Sequence, residues 1–442
     1  MNKIKTTAGL LALGAVSVQA QIYAPSTGSQ TATKPWSVSA TLRGFYDDNY
    51  STSPKALERD SYGFEVSPSA SVNLIRDQTA VGLSYVYSLR WYEDRDSRGM
   101  SSTDQAHQVN AKLSHAFTPR YKLDITDSFV VAQEPDLIEE PGTPRTVFLR
   151  SEGDNLRNTV LGSLSIGLTE NTTVVLGYSN QYFDYDDEDV LNSRSALLDR
   201  VEHLGSINLR QVILPQTVLV GGYHYEVVEY TSDDLIGTVV GLPPVLLAYD
   251  PEERDSTSHY IYAGVDQGIT PTLNASLRGG AQLMEYDFGS PLLAGLDEDR
   301  WSPYADANLT WQYLEGSYAQ LGVRHQRMQT DVGYIVDPTI GLVPNLDAES
   351  TTVYGSLSHR IYGAFVASVI GQYQHSSYEG EGAGDFADDY FMAGVNLTYE
   401  INRFLAAEVG YNYDRLDSEL TSVGQPRSFT RNRVYVGIRG TY

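Results

Sequence analysis

The sequence has no cysteine. Disulfides, thiolate metal sites and a lipidated N-terminal cysteine are therefore excluded. Lysine is scarce, at six in 442 residues, and the formal net charge is −25. A balance that acidic repels phosphates and argues against nucleic acid as a partner. After the first twenty residues no stretch stays apolar for the ~18–20 residues that a membrane-crossing helix needs. A large chain with neither disulfides nor a helical anchor must be held together by other means. A closed network of backbone hydrogen bonds is one such means.

What is present begins with an export signal. Lys3 and Lys5 give a positive start, Ala8–Val18 is apolar, and Val18 and Ala20 are small residues before a cut near Gln21. A short buried helix is the plainer alternative. Residues 1–20 are therefore expected to be a signal peptide and 21–34, rich in Ser, Thr and Pro, a flexible lead-in. The rest, 35–442, follows one plan of long strand, short turn, long strand and acidic loop.

The strand signal is alternation. In Val81–Trp91 the odd positions read Val, Leu, Tyr, Tyr, Leu and Trp, and Gly82, Ser84, Val86, Ser88 and Arg90 lie between them. Period two puts each set on one face. A soluble sandwich also alternates. Here, however, the apolar faces end in Tyr and Trp, as at a lipid interface. The opposite faces carry Ser, Asn, Gln and Arg, as in a wet lumen, and the strands exceed the about five or six residues usual in soluble domains. A β-propeller has a similar repeat length but packs four short strands per repeat, where only two long ones appear. The expected fold is all-β: a transmembrane antiparallel up-and-down barrel of about eighteen strands, with sixteen to twenty as the range. Strands are expected near 36–47, 61–75, 80–92, 105–117, 121–132, 155–168, 172–184, 199–212, 217–230, 257–269, 272–287, 301–313, 317–329, 350–360, 363–376, 388–400, 403–416 and 430–442. An even count puts both termini on the short-turn, periplasmic side.

Two ends of the chain resemble a known family. Gly44-Phe-Tyr-Asp-Asp-Asn49, then Arg59-Asp60 and Val66-Ser-Pro68-Ser-Ala, with the ending Val436-Gly-Ile-Arg-Gly-Thr-Tyr442, is similar to the opening and closing strands of the outer-membrane family called putative β-barrel porin 2. The resemblance implies a bacterial outer-membrane barrel. It also implies, through some relatives, a link to exopolysaccharide export. The terminal aromatic resembles the signal read by the barrel-assembly machinery.

Catalytic and metal patterns are not displayed. The eight His are scattered singly (His107, His115, His203, His224, His259, His325, His359 and His375), with no two-His ligand motif. No gathering of Ser, His and acid at one rim can be read from the sequence. The expectation is a non-enzyme with no cofactor and no bound metal. Asp184–Asp189 and the set Asp385, Asp388 and Asp389 invite Ca²⁺ or Mg²⁺. The first lacks the Gly and Glu spacing of a calcium loop, so solvated loop charge is preferred.

Parity points Arg43, Arg90, Arg210, Arg278, Arg324 and Arg439 away from lipid, where an Arg at the midplane would cost about 2–4 kcal/mol. Glu65, Asp124, Glu226, Asp306 and Glu408 face the same way. These eleven are the candidate pore lining; charges paired to rigidify the wall are the alternative. Residues 235–249 and 333–345 are apolar loops that either extend the wall or fold inward, and wall extension is favoured for 235–249. Residues 134–150 are a further constriction candidate. The expected function is passive diffusion of small hydrophilic solutes, since sixteen to eighteen strands leave an aqueous interior. The alternative is a non-enzymatic accessory barrel for polysaccharide export. Expected partners are outer-membrane lipid, lipopolysaccharide, solutes or polysaccharide, and the assembly machinery, with a homotrimer left open.

Overall fold

A computed structural model describes residues 34–95, 101–132, 154–186, 191–240, 243–337, 341–379, 385–420 and 427–442. The signal, the lead-in to residue 33, Asp187–Asp189 of the acidic run and the 134–150 segment lie outside the described residues. The strands in chain order are β1 (Trp36–Asp47), β2 (Ser61–Arg76), β3 (Thr79–Tyr92), β4 (Thr103–Thr118), β5 (Tyr121–Ala132), β6 (Asn155–Gly167), β7 (Thr172–Tyr185), β8 (Arg200–Leu214), β9 (Thr217–Tyr230), β10 (Ile236–Val240), β11 (Val245–Tyr249), β12 (Ser256–Thr270), β13 (Leu273–Tyr286), β14 (Asp299–Leu314), β15 (Ser317–Gln329), β16 (Tyr334–Asp337), β17 (Gly341–Pro344), β18 (Asp347–Tyr362), β19 (Phe365–Tyr378), β20 (Phe386–Asn402), β21 (Leu405–Ser418) and β22 (Phe429–Thr441). A single helical turn, α1 (Arg194–Leu198), precedes β8.

Eighteen of these strands form one sheet. Each pairs antiparallel with its sequence neighbour in the barrel, and β1 pairs with β22, from Ser39 opposite Thr441 to Asp47 opposite Arg433. The sheet is thus closed, with the expected eighteen strands. No helix among the described residues is long and apolar enough to cross a membrane. The barrel presents its apolar face outward instead. Leu42, Leu83, Leu277, Leu321, Val395 and Val436 are all exposed there.

The exposed belt is bounded by aromatic pairs. At the short-turn end Trp36 meets Tyr442 at 5.9 Å and Phe365 stacks on Tyr399 at 4.6 Å. At the loop end Phe64 stacks on Trp91 at 5.3 Å and Tyr46 meets Tyr62 at 4.8 Å. Such rings suit the boundary of hydrocarbon and headgroup, where one end is apolar and the other wet. Two of the short turns need left-handed backbone at glycine, with φ of 72° at Gly316 and 48° at Gly363.

One inward joint recurs three times. An Asn, a Gly and a Tyr occupy one register row on three successive strands: Asn208, Gly222 and Tyr262; Asn308, Gly322 and Tyr354; Asn396, Gly410 and Tyr435. The Tyr lies across the Gly, where a Cβ would come within 2.4, 2.2 and 2.2 Å of its ring. Its hydroxyl reaches the Asn beyond: the Asn308 amide donates to Tyr354 at 3.2 Å, Asn396 donates to Tyr435 at 2.8 Å, and the Tyr262 hydroxyl donates to Asn208. Each joint pins three strands with one side chain.

The mouth departs from a plain cylinder. The pairing of β14 with β15 stops at Ala305 and His325, whereas β15 stays paired with β18 up to Gln329 and Asp347. Beyond that point the outward-parity positions become Arg327 and Asp347, which lipid cannot accommodate. Both are buried against the inner face of β13 and β14. The Gln282 amide donates to the Arg327 carbonyl at 3.0 Å and the Tyr286 hydroxyl donates to Asp347 at 2.7 Å. The arm carrying β16 and β17, within the 333–345 loop, therefore tucks to the lumen side and narrows the opening.

The favoured reading of 235–249 as a wall extension needs correction. β10 and β11 form a two-stranded sheet of their own. The apolar base of that hairpin, Ile236 and Tyr249, is buried with Ala196, Leu293 and Leu342 from three other loops. Burying that base outweighs prolonging the sheet.

The joints make a stability prediction. Gly410→Ala should displace the Tyr435 ring and lose its bond to Asn396, costing about 1–3 kcal/mol. Urea unfolding of the refolded barrel in lipid vesicles would measure it.

Candidate functional site

All eleven candidate lining residues lie on the face opposite the exposed belt, and most are gathered into two charged rows. In the first, the register runs Glu408, Gly437, Arg43, Glu65, Arg90 and Asp104 across six strands. Arg43 donates to Glu408 at 2.5 Å and to Glu65 at 3.0 Å, and Arg90 donates to Glu65 at 3.0 Å. In the second, Arg278, Asp306 and Arg324 are register partners on β13, β14 and β15. Arg324 binds Asp306 at 2.8 Å. Arg278 and Arg210 converge on Asp266 at 2.5 and 2.6 Å.

Opposite charges directly across a ladder each contribute roughly 0.2–1 kcal/mol. The rows therefore brace the wall as well as lining it. Their arginine side chains keep 15–28% of their surface accessible. The first row crosses the β1–β22 seam. The second lies on β13–β15, about half the circumference away.

The other candidates stand apart from the rows. Asp124 binds Lys122 at 2.9 Å on its own strand, Glu226 accepts from the Tyr260 hydroxyl at 2.7 Å, and Arg439 sits two residues beyond Gly437, opposite Thr41. Sequence reasoning missed Asp266. Its strand carries Tyr260 and Tyr262 on the inner face and Ile261 on the outer, so apolar residues mark both sides and parity is blurred there.

The histidines sort by face. His224 lies inside, beside Tyr262. The other seven bond to residues on the outward face. His107, His203, His259, His325 and His375 lie toward the loop end, and His115 and His359 toward the short turns. Among the described residues no three His, Asp or Glu gather into a group fit to hold a metal ion.

Residues 247–442 match the family model putative beta-barrel porin 2. The C-terminal motif Val436–Tyr442 falls inside that stretch, and the Gly44–Asn49 motif lies before it. With this match, the apolar belt and its aromatic boundaries place the barrel in a bacterial outer membrane. Similar solved structures include the outer membrane protein opdK from Pseudomonas aeruginosa, at 12% identity over 92% of this chain and 99% of that one, with a TM-score of 0.43. Pseudomonas aeruginosa OccK2 (OpdF) is 13% identical over 92% and 98%, with a TM-score of 0.44. Acinetobacter baumannii OccAB4 is 11% identical over 93% and 100%, with a TM-score of 0.42. No curated protein matches the chain.

Above the porin-like barrel the loops form a cap with its own apolar contacts. Asn192 donates to the Gly237 carbonyl at 2.6 Å and to the Tyr334 hydroxyl at 3.1 Å, tying the β7–β8, β9–β12 and β15–β18 loops together. Two carboxyls anchor it. Asp199 accepts from the Tyr185 amide and Asp255 from the Tyr230 amide, both at 2.7 Å. Burial pushes each of these carboxyls up to about 6. A carboxyl whose folded pKa exceeds its unfolded value binds its proton more tightly when folded. The cap should therefore be most stable below about pH 4 and lose that contribution as pH rises through about 6. Hydrogen exchange in 191–199 and 250–255, corrected for intrinsic rates, should accelerate between these limits. The double variant Asp199→Asn/Asp255→Asn should flatten the dependence.

Proposed function

We propose that this porin-family barrel is a passive diffusion channel for small hydrophilic solutes, lined by the eleven charged residues and Asp266. The observation that carries the reading is the closed eighteen-stranded sheet. At that strand number a barrel encloses water, not a packed core. The wall beneath the cap is charged or amide-bearing, as a hydrated path requires. The polysaccharide-accessory reading has no comparable support among the described residues. In this reading outer-membrane lipid and lipopolysaccharide surround the belt, and the barrel-assembly machinery inserts the chain through its aromatic-ended last strand. A homotrimer is compatible with the outward face but nothing specific favours it.

The charge layout sets the selectivity. The lining holds six Arg against six carboxylates once Asp266 is included, most of them cross-paired. The mouth is acidic, with Asp48, Asp60, Asp233, Asp234 and Asp297–Asp299 among the loop charges. Charges at a mouth concentrate counterions and are screened by salt. Planar-bilayer recording of the purified barrel should show open-state conductance with a weak cation preference that fades as salt rises. Absence of conductance from folded protein would sink the channel reading. Because the chain has no cysteine, Arg278→Cys and Arg439→Cys can be labelled singly. A charged, water-soluble thiol reagent should change the conductance of both variants if these positions line the path.

A further inference from the structure

The outward face near the loop end holds a Ser–His–Asp arrangement. On β19, His375 and Ser377 lie two residues apart and so share a face. On the neighbouring β20, Asp389 is the register partner of His375. His375 Nδ1 bonds to Asp389 Oδ1 at 2.8 Å, and His375 Nε2 faces the Ser377 hydroxyl at 3.4 Å. The Tyr373 hydroxyl donates to the same Asp389 oxygen at 2.7 Å and fixes it. The imidazole thus has its acid on one nitrogen and a hydroxyl on the other, the order that nucleophilic catalysis by serine needs. A Ser–His distance somewhat beyond an ideal hydrogen bond is common without substrate.

Other outward histidines lack this order. His325 turns Nδ1 to Thr351 at 2.8 Å and Nε2 to Glu349 at 2.9 Å, and His259 turns Nδ1 to Tyr223 at 2.7 Å and Nε2 to Glu285 at 3.0 Å. Glu349, the register partner of Ser377, is occupied by His325 and by Arg327 at 3.4 Å.

The location says what the group would meet. Tyr373 and Phe391, register partners directly below, are 42% exposed each and belong to the aromatic boundary. At about 3.4 Å per residue, His375 and Ser377 stand about 7 and 14 Å farther along the strand. With the strands tilted about 45°, these are heights of about 5 and 10 Å above the rings, from the edge of the hydrocarbon into the headgroups, and lipid ester carbonyls lie at the lower of these levels. Val369 and Val395, exposed farther down the same face, offer an apolar surface along which an acyl chain can lie.

We propose that Ser377, His375 and Asp389 form an acyl-ester hydrolase site on the lipid-facing wall, acting on an ester-linked fatty acyl chain of the outer leaflet. His375 Nε2 takes the Ser377 proton as Oγ bonds to the ester carbonyl carbon. The carbon–oxygen bond to the alcohol breaks, and the alcohol leaves with that proton. Water, deprotonated by His375, then attacks the acyl-serine; the fatty acid departs and Ser377 regains its proton. Asp389 orients the imidazole and stabilises its cation. This activity is separate from conduction and uses no lumen residue.

The test is fatty-acid release, read by mass spectrometry, from the full barrel incubated with phosphatidylethanolamine vesicles and, separately, with lipopolysaccharide. Release from either supports the site and identifies its lipid. Labelling by a fluorophosphonate should map to Ser377. Ser377→Ala and His375→Asn should cut release about a thousandfold or more. Ser376→Ala, whose side chain points inward, should leave it unchanged, and unaltered heat-modifiability on gels would show that all variants fold. No release from either lipid, or release that survives Ser377→Ala, overturns the proposal.

Discussion

Everything in this molecule depends on the pairing of β1 with β22. In hydrocarbon an unpaired strand edge leaves a row of N–H and C=O groups with no partner, each costing several kcal/mol. The sheet must therefore close. The chain secures that seam at both ends. At the short-turn end Trp36 packs on Tyr442. At the other end Arg431 grips Asp47 through contacts of 2.6 and 3.0 Å, with both side chains buried. Between them Arg43, on the first strand, reaches Glu408 across the last one. An ion pair this enclosed contributes mainly by being costly to break, which suits a joint between the two ends of a chain.

Closure also explains the inner wall. Eighteen strands leave more interior than side chains can fill, so the inner face must tolerate water and resist collapse. Charges laid across the strands achieve both. Each carboxylate in the rows has an arginine on a neighbouring strand or one strand beyond, so the ladder is braced laterally while the guanidinium edges remain wet. The Asn–Gly–Tyr joints do the same with uncharged groups. The acidic residues that dominate the net charge are gathered in the loops, where they shape the mouth instead of the passage.

The outer face carries two demands at once. It must be apolar where lipid tails touch it and amphipathic where headgroups begin. Tyrosine and histidine meet the second demand, and most of the outward histidines near the loop end bond to a hydroxyl. The hydrolase site proposed on β19 and β20 uses the same materials in a different order. Two residues of offset on one strand and a register partner on the next are enough to turn an interfacial histidine toward both a serine and a carboxylate.

Much of this was legible in the sequence. Alternation located all eighteen barrel strands, because a strand with lipid on one side and water on the other must alternate at period two. The same parity placed Arg43, Arg278, Arg324 and Glu408 on the inner face, since an arginine facing the hydrocarbon midplane is costly. It faltered at Asp266, where tyrosines on the inner face hide the period, and at 235–249, where an apolar hairpin found burial among other loops. Contacts across strands could not be read at all. Which arginine meets which carboxylate, how the β15–β18 arm tucks behind β13, and that His375 faces both Ser377 and Asp389 all depend on register. Register is fixed by turn geometry and by closure of the whole sheet, so the sequence by itself determined which face most barrel side chains take, and only the tertiary structure decided their neighbours.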